Sequence, residues 1–245
     1  MDQRYSEAAA AIRNATSVIA VTGAGASVES GIPDFRSPGG LWERFPPEEY
    51  AAIDAYLSDP DRIWELWRNL GREFQHCTPN PGHLALAELE RRGRLEGVIT
   101  QNIDGLHQQA GNTHVVEYHG NASRLACLSC DRRIPLDPDR EYTHAPHCDC
   151  GGLMKPDIVF FGEMIPPYAQ AESTSLAQRA GVVIVVGTSA TVYPAAGLPP
   201  LAKSHGAYII ECNLEPTDFT PRITDTFLQG RAGETLPRLL QEVGE

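Results

Sequence analysis

Four cysteines in the middle of the chain have the spacing of a metal site. They form two short pairs, seventeen residues apart, and are Cys127, Cys130, Cys148 and Cys150. Two such pairs, brought together by a loop, place four thiolates at the corners of a tetrahedron, which is the geometry of a structural zinc ion. The second pair is one residue tighter than usual, so two disulfides, or a zinc site in which His144 or His147 replaces one thiolate, are the alternatives. We expect the four-thiolate site, which leaves no open position for water or substrate.

A glycine-rich stretch follows the first predicted strand. Residues 17–22 are apolar and rich in β-branched side chains, and the next residues are Gly23-Ala-Gly25-Ala-Ser27. Glycines here let the backbone turn tightly and approach a pyrophosphate, whose charge the amides at the next helix start can hold. Val28 stands where the usual dinucleotide fingerprint has its third glycine, so the sequence disfavours a standard dehydrogenase. A glycine-rich turn without a ligand is the alternative.

Three polar clusters and a histidine follow predicted apolar segments. The clusters lie at residues 100–104, 187–189 and 213–215. Open parallel sheets bind their ligands just past the carboxyl ends of the strands, so three clusters together indicate a crevice, although each alone also fits a helix cap. His119, beside Gly120, adds a side chain that titrates near neutral pH and suits a general base.

The composition excludes several classes of protein. Of the 245 residues, 42% are hydrophobic, which is enough for one sizeable core and a smaller appendage. Twenty basic and 32 acidic residues give a net charge of −12, and residues 121–157 contain five basic and six acidic residues, so we expect no nucleic-acid binding. The start is polar, and no apolar run reaches the roughly 18 residues of a membrane span, which predicts a cytoplasmic protein. In that reducing compartment Cys77 and Cys212 fit small apolar core positions.

The elements that would position these residues alternate between strand and helix. Short β-rich runs predict buried parallel strands at 17–22, 97–100, 181–186 and 207–212, and helical spacing occurs at 7–14, 83–92 and 170–180. This alternation predicts an α/β fold, namely a Rossmann-like doubly wound parallel sheet with a smaller inserted domain that combines a helical segment and a zinc ribbon. We expect the Rossmann-like domain at 1–34, 76–120 and 158–245, and the small domain at 35–75 and 121–157. The ligand cleft is expected between them.

Taken in order, these motifs resemble the sirtuin family over nearly the whole chain. Residues 23–42 are similar to its cofactor-binding loop, residues 100–104 to its nicotinamide pocket, His119 to its catalytic histidine, and residues 155–163 to its peptide-binding segment. Residues 187–189, Asn213 and the turn at 230–233 also fall in the family's order. The resemblance implies an NAD-dependent protein-lysine deacylase, most simply a deacetylase, that transfers the acyl group from lysine to ADP-ribose and releases nicotinamide. NAD+ is then a cosubstrate, and no hydride is transferred.

The resemblance also assigns roles to residues. It implies that His119 takes a proton from a ribose hydroxyl, that Asn102 orients the ribose or a water, and that Asp104 hydrogen-bonds the carboxamide of nicotinamide. Phe35 would shield the reactive face of the ribose. The implied cofactor contacts are Gly23, Ala24, Gly25, Ser27, Glu29, Asp34, Phe35, Arg36, Trp42, Gln101, Asn102, Ile103, Asp104, His119, Gly187, Thr188, Ser189, Asn213, Leu214, Glu215 and Ala232.

The peptide substrate is expected beside the cysteine module. Val159, Phe160 and Phe161 belong to an apolar segment that fits a buried strand. The resemblance implies in addition that the edge of this strand accepts the acyl-lysine peptide as an added strand, with backbone hydrogen bonds that tolerate many peptide sequences.

The acyl pocket is expected to be apolar. Sirtuins that favour succinyl or malonyl groups carry a Tyr-x-x-Arg pair, and Trp67 and Leu70 stand at those places here. Neither pairs with a carboxylate, although a shifted helix register would bring Arg68 or Arg72 near. We expect Trp67 and Leu70 to line a pocket for acetyl and longer neutral chains.

Two other functions would use the same cofactor residues. An ADP-ribosyltransferase or NAD+ glycohydrolase would need no acyl-lysine, and a non-catalytic NAD+ sensor would turn nothing over. The presence of Asn102, Asp104 and His119 argues against the sensor, because a pure binder needs no base beside the ribose. We expect a monomer that acts on acyl-lysine proteins or peptides.

Overall fold

Strands and helices alternate along most of the chain, which the computed structural model describes at residues 2–35, 39–137 and 140–244. The strands in these ranges are β1 (Val18–Thr22), β2 (Gly97–Thr100), β3 (Val115–Glu117), β4 (Gly120–Cys127), β5 (Arg133–Pro135), β6 (Met154–Ile158), β7 (Val182–Val186), β8 (Tyr208–Asn213) and β9 (Thr226–Gln229). The α-helices are α1 (Gln3–Asn14), α2 (Leu41–Arg44), α3 (Pro47–Tyr50), α4 (Ile53–Ser58), α5 (Pro60–Gln75), α6 (Pro81–Arg91), α7 (Leu106–Ala110), α8 (Pro167–Arg179), α9 (Leu198–Ser204) and α10 (Ala232–Val243). None of the helices in the described ranges is both long and apolar enough to cross a membrane.

Six of the described strands form one parallel sheet in the order β3-β2-β1-β7-β8-β9. The order reverses between β1 and β7, which end side by side at Thr22 and Val186. Every residue of β1, β2 and β7 is buried, because helices cover both faces of the sheet. This explains why these strands are continuous apolar runs rather than alternating ones. Open sheets of this kind bind ligands where the strand order reverses.

Two hydrophobic cores lie on the two faces of this sheet. Val18 and Ala20 of β1 pack with residues of α1, α6 and α10, whereas Ile19 and Val21 pack with residues of α8 and α9. Successive side chains of a strand point to opposite faces, so one apolar run serves both cores. The predicted α/β fold with a doubly wound parallel sheet is confirmed. The sequence pattern did not reveal β3 and β9, because edge strands of three and four residues are too short to show a period.

A second unit is inserted into this fold, and we call it the small unit. It consists of helices α2 to α5 and the antiparallel sheet β5-β4-β6. Tyr56 and Trp64 from the helices pack in one core with Leu125 and Met154 from the sheet, so the two inserted segments fold together. The prediction of an inserted part with a helical segment and a cysteine-bearing ribbon is confirmed, while its boundaries stay a prediction.

Candidate active site

A cleft of about 950 Å³ lies at the carboxyl ends of the parallel strands and is lined by loops of the sheet and by residues of the small unit. This volume is within the range of about 300–1,000 Å³ that is typical of ligand sites. The predicted residues that line it are Gly23, Ala24, Gly25, Glu29, Asp34, Phe35, Trp42, Trp67, Gln101, Asn102, Ile103, His119, Val159, Phe160, Phe161, Gly187, Thr188, Ser189, Asn213, Leu214, Glu215 and Ala232. The structure thus brings the three polar clusters and the histidine together.

Glycines allow the loops after β1 and β7 to pass close to each other. A Cβ on Gly25 would lie 2.8 Å from the Cα of Gly187, and a Cβ on Gly187, whose φ is +58°, would lie 2.3 Å from the amide nitrogen of Ala26. The amide of Gly25 donates to the carbonyl of Gly187 over 2.8 Å. Packing of two backbones therefore requires these glycines, in addition to the ligand approach that the sequence suggested.

His119 follows β3, and its ring orientation is fixed. Its Nδ1 lies 3.1 Å from the carbonyl oxygen of Gln101. A carbonyl only accepts, so Nδ1 carries the proton and Nε2 is the nitrogen that can take one. Burial lowers the pKa of His119, and the hydrogen bond to Gln101 opposes this shift only in part. The ring is therefore neutral at neutral pH, as a general base must be.

Asn102 is held by Gly23, which lines the cleft, and by Ser27, which does not. Its Nδ2 donates to the carbonyl of Gly23 and to the hydroxyl of Ser27, each over 3.0 Å. Ser27 in turn donates to Asp104 over 2.7 Å, and the other carboxylate oxygen of Asp104 accepts from the amide of Leu106. Ser27 and Asp104 do not line the cleft in this structure. They orient Asn102, and direct contact of either with a cofactor stays a prediction.

Two buried histidines behind this network were not predicted as part of the site. Nε2 of His83 lies 3.5 Å from Oγ of Ser27, and Nε2 of His107 lies 3.0 Å from Oγ1 of Thr22. Burial lowers the pKa of both, to about 3 for His107. The sequence held one signal for His83, namely its position three residues after Asn80, a residue type that often caps a helix. In the structure Asn80 caps α6 and forms a capping box with His83. That helix start is also bonded to the glycine-rich loop, through Nδ2 of Asn80.

The loops after β2, β7 and β8 are joined by hydrogen bonds at the cleft. Nδ2 of Asn213 donates to the carbonyl of Thr188 over 2.8 Å. Nε2 of Gln101 donates to the hydroxyl of the same threonine over 3.3 Å. Thr188 therefore connects the predicted nicotinamide cluster with the predicted adenosine end.

Some lining residues were missed, and one predicted residue is not among those that the structure describes. Val192 and Tyr193 line the cleft, but no motif distinguished these loop residues in the sequence. Val28 and Arg231 also line it; they lie within the stretch 23–42 and the turn 230–233, but neither was predicted as a contact. Arg36, predicted to contact the cofactor, lies outside the described residues.

The segment after β6 forms a wall of the cleft. The amide of Val159 donates to the carbonyl of His119 over 2.9 Å, and the amide of Phe161 donates to the carbonyl of Ala51 over 2.7 Å. Phe160 is buried, whereas Phe161 is 47% exposed. The segment is therefore fixed on two sides by backbone bonds, and its side chains face alternately inward and outward.

Trp67 lines the cleft, but the structure does not bring Leu70 there. Leu70 packs in the core of the small unit, so its predicted place in the acyl pocket is corrected. Nε1 of Trp67 donates to the carbonyl of Tyr50 over 2.8 Å. Arg68 donates to the carbonyl of Tyr142 and does not line the cleft. Arg72 does not line the cleft either, so the described side chains of α5 give this wall no cation.

The four predicted cysteines form one cluster in the small unit. All four sulfurs lie within 4.8 Å of one another, with 3.6 Å between Cys127 and Cys150 and 3.8 Å between Cys130 and Cys148. Four sulfurs at about 2.3 Å from a tetrahedral zinc ion would lie about 3.8 Å apart, so this donor set fits zinc. Disulfides require about 2.05 Å between the sulfurs. Neither His144, which pairs with Asp61, nor His147 belongs to the cluster, so the alternatives do not match.

Known proteins resemble this chain over nearly its full length. The model of the Sir2 family matches residues 23–194. The NAD-dependent protein deacylase 2 of Pyrobaculum aerophilum is 50% identical over 226 residues, which are 92% of this chain and 90% of that protein. The NAD-dependent protein deacylase of Pyrococcus furiosus is 47% identical over 231 residues, which are 92% of each protein.

Solved structures have the same fold. A Sir2 homologue in complex with NAD gives a TM-score of 0.92 at 41% identity and covers 99% of this chain and 94% of its own. A Sir2 with a deacetylated p53 peptide and 3′-O-acetyl ADP-ribose gives a TM-score of 0.89 at 35% identity and covers 96% of this chain and 97% of its own. Because the family model, the relatives and the fold agree with the motifs around the cleft, this chain belongs to the Sir2 family, the sirtuins.

Proposed function

We propose that this chain is an NAD-dependent protein-lysine deacylase, most simply a deacetylase, that transfers an acyl group from lysine to ADP-ribose and releases nicotinamide. The place of His119 carries the proposal. His119 lines the cleft, and its Nδ1 is hydrogen-bonded to Gln101, which belongs to the polar cluster at 100–104. Its carbonyl is hydrogen-bonded to Val159, in the segment after β6 that we call the substrate wall. A base between two binding regions suits group transfer from one ligand to the other. Relatives at 50% and 47% identity carry the name of deacylase, which supports the same reaction.

The cofactor is expected along the loops after β1, β7 and β8. Gly25 and Gly187 cross with no space for a Cβ, so the loops after β1 and β7 form one surface of the cleft. The amides of Gly25 and Gly187 are bonded within the protein, so other amides of these loops would hold the pyrophosphate. Asn213 and Ala232 line the adenosine end in this proposal. Bound NAD+ would supply the ribose carbon that nicotinamide leaves and that receives the acyl oxygen. A related structure with NAD, at 41% identity, supports this assignment.

His119 is proposed to take a proton from a ribose hydroxyl at its Nε2. Its lowered pKa keeps the ring neutral and ready to accept that proton. Asn102, held by Gly23 and Ser27, would orient the ribose or a water. Phe35 packs against Trp42 with ring centroids 4.8 Å apart, and both line the cleft, so we infer that this pair excludes water from the reacting face.

Zinc is proposed to be structural. Cys127, Cys130, Cys148 and Cys150 would hold it with no position left for substrate. Cys127 and Cys148 also pack in the core of the small unit, so the ion would stabilise the unit that forms one wall of the cleft.

The acyl group is proposed to enter an apolar region beside Trp67. Ala51, Phe160 and Ile165 line the cleft as well, and Nε1 of Trp67 is already bonded to Tyr50. A carboxylate there would lose its hydration without gaining a cation. The proposed substrates are therefore acetyl-lysine and longer neutral acyl-lysines in proteins or peptides. A cytoplasmic monomer remains part of the proposal.

The experiment that tests the function measures nicotinamide release from NAD+ without peptide, with an acetyl-lysine peptide and with a succinyl-lysine peptide. We expect release only with the acetyl peptide, and its loss in His119→Ala. His205→Ala, at an exposed position, is the matched control and keeps the activity. Release that ignores the peptide would establish a transferase or glycohydrolase instead. Binding of NAD+ without any turnover would establish a sensor.

A further inference from the structure

A buried lysine and a glutamate meet beside the substrate wall. Lys155 on β6 is only 7% exposed, and its Nζ lies 3.0 Å from Oε2 of Glu163. It also donates to the carbonyls of Pro156, over 3.3 Å, and Ile158, over 2.5 Å. An ammonium group has three hydrogens, and each has an acceptor here. The buried charge is therefore bonded wholly within the protein.

Glu163 connects this charge to the backbone of the wall. Its Oε2 also accepts from the amide of Phe160 over 2.8 Å. In return the amide of Glu163 donates to the carbonyl of Phe160 over 3.0 Å. Gly162 between them has a φ of +91°, as the third residue of a type II turn requires. The turn at 160–163 is thus closed by the glutamate and fastened to β6 by Lys155.

We propose that Lys155 and Glu163 are positioning residues, whose ion pair fixes residues 158–163 in the conformation that receives the acyl-lysine peptide. This inference rests on the proposed function. Lys155 does not line the cleft. Glu163 does line it, but its Oε2 already accepts from Lys155 and from the amide of Phe160. The pair therefore acts through the backbone of the wall and not on the reacting atoms.

The effect of losing the pair should differ between the two ligands. The cofactor loops at Gly25, Gly187 and Asn213 are held by hydrogen bonds to one another in which neither Lys155 nor Glu163 takes part, so they should keep their shape. A wall displaced by about 1 Å lowers the rate with the peptide by up to about 100-fold. We expect the peptide KM to rise about tenfold or more and the Kd for ADP-ribose to stay within about twofold.

The test uses the zinc-loaded protein with Lys155→Met, Glu163→Gln and the double variant. Because the two residues act through the same ion pair, the double variant should raise the peptide KM little more than either single variant does. Lys155→Arg, which keeps the charge, should recover part of the loss. Hydrogen exchange should accelerate at the Phe160 amide and its neighbours only. Lys203→Met is the control. It removes a lysine whose Nζ lies 2.6 Å from a carboxylate oxygen of Asp225, and it should leave the peptide KM unchanged.

The outcomes separate this inference from the proposed function. A wild-type protein that releases no nicotinamide with an acyl-lysine peptide refutes the function itself. An active wild type whose variants keep their peptide KM refutes only the positioning role. Equal losses of peptide and ADP-ribose binding, or additive effects in the double variant, would show that the pair only stabilises the fold, and they also overturn the inference. If Lys155→Met does not fold, Glu163→Gln and Lys155→Arg provide the same comparison.

Discussion

The carbonyl oxygen of His119 accepts a hydrogen bond from the amide of Val159 over 2.9 Å. The proposed base is therefore attached through its backbone to the proposed substrate wall, and through Nδ1 to Gln101. The next residue, Gly120, lets β4 run close to β6. Its φ is +80°, and a Cβ on it would lie 2.0 Å from the carbonyl oxygen of Asp157. The position of His119 thus depends on Gly120, where no side chain fits.

Replacing Gly120 should displace the base. We expect Gly120→Ala to lower kcat/KM by about 100-fold and the free energy of unfolding by about 3 kcal/mol, because the methyl group meets backbone that cannot move aside. Enzyme kinetics and denaturant unfolding measure both. Gly93→Ala is the control: its φ is also positive, at +67°, but nothing lies within 4 Å of its Cβ. Equal losses in the two variants would mean that strain, and not the contact with Asp157, is responsible.

The pH dependence of activity should report the buried base. Because burial lowers the pKa of His119, its folded value lies below the unfolded value of about 6.5. The neutral ring persists above the folded pKa and is lost as the pH falls through it. We expect kcat/KM to stay level from neutral pH to about 6.5 and to decline only below that. His205→Gln, at the surface, should leave this profile unchanged. An acidic limb centred at or above 6.5 would contradict the predicted shift.

Removal of zinc should unfold the small unit. We expect Cys148→Ser to lose the ion and its activity, and its melting temperature to fall, because this residue packs in the same core as Trp64. Metal analysis should find about one zinc ion per wild-type chain and none in the variant. Cys77→Ser, outside the cluster, should keep its zinc. A Cys148→Ser protein that keeps full activity without metal would refute the structural role.

The fold and the place of the site could be predicted because both depend on local patterns. Buried runs such as residues 182–186 indicate parallel strands, and polar residues that follow such runs must meet at one edge of the sheet. The cysteine spacing likewise restricts the metal. These patterns do not show which side chains form hydrogen bonds with each other.

Tertiary contacts explain why some side chains lie where the sequence does not place them. Ser27 does not line the cleft, because its hydroxyl donates to Asp104 and accepts from Asn102, and its contact with the cofactor stays a prediction. Leu70 was expected in the acyl pocket, but the packing of α5 turns it into the core of the small unit. His83 contributes through its contact with Ser27, which no spacing along the chain announces. The contacts of Ser27 with Asp104 and with His83 join residues more than 50 positions apart in sequence.

The acyl pocket should discriminate against charge. Among the described residues, the basic side chain that lines the cleft is Arg231, which follows β9, and not a residue beside Trp67. We expect kcat/KM for a succinyl-lysine peptide to be at least about tenfold lower than for the acetyl peptide, since a buried carboxylate would remain unpaired. A butyryl-lysine peptide, equal in carbon count but neutral, is the control and should remain a substrate. Faster turnover of the succinyl peptide would refute the apolar pocket.

Glu211 should hold the loop at the adenosine end. This fully buried carboxylate on β8 accepts from the hydroxyls of Thr217 over 2.6 Å, Thr220 over 2.8 Å and Thr224 over 2.7 Å. Leu214 and Thr217, at the start of that loop, line the cleft. We expect Glu211→Ala to lower the free energy of unfolding by about 3 kcal/mol, because three hydroxyls lose their acceptor in a buried site.

The same substitution should weaken cofactor binding, with the KM for NAD+ rising while the KM for the peptide changes little. Glu211→Gln keeps one acceptor oxygen and should lose less of both stability and NAD+ affinity. Glu172→Ala removes a glutamate that forms only exposed ion pairs, and this control should change the free energy of unfolding by no more than about 0.5 kcal/mol. A Glu211→Ala protein with unchanged KM for NAD+ would mean that the loop keeps its shape without the carboxylate, and that the adenosine end is fixed by Asn213 and Thr188 alone.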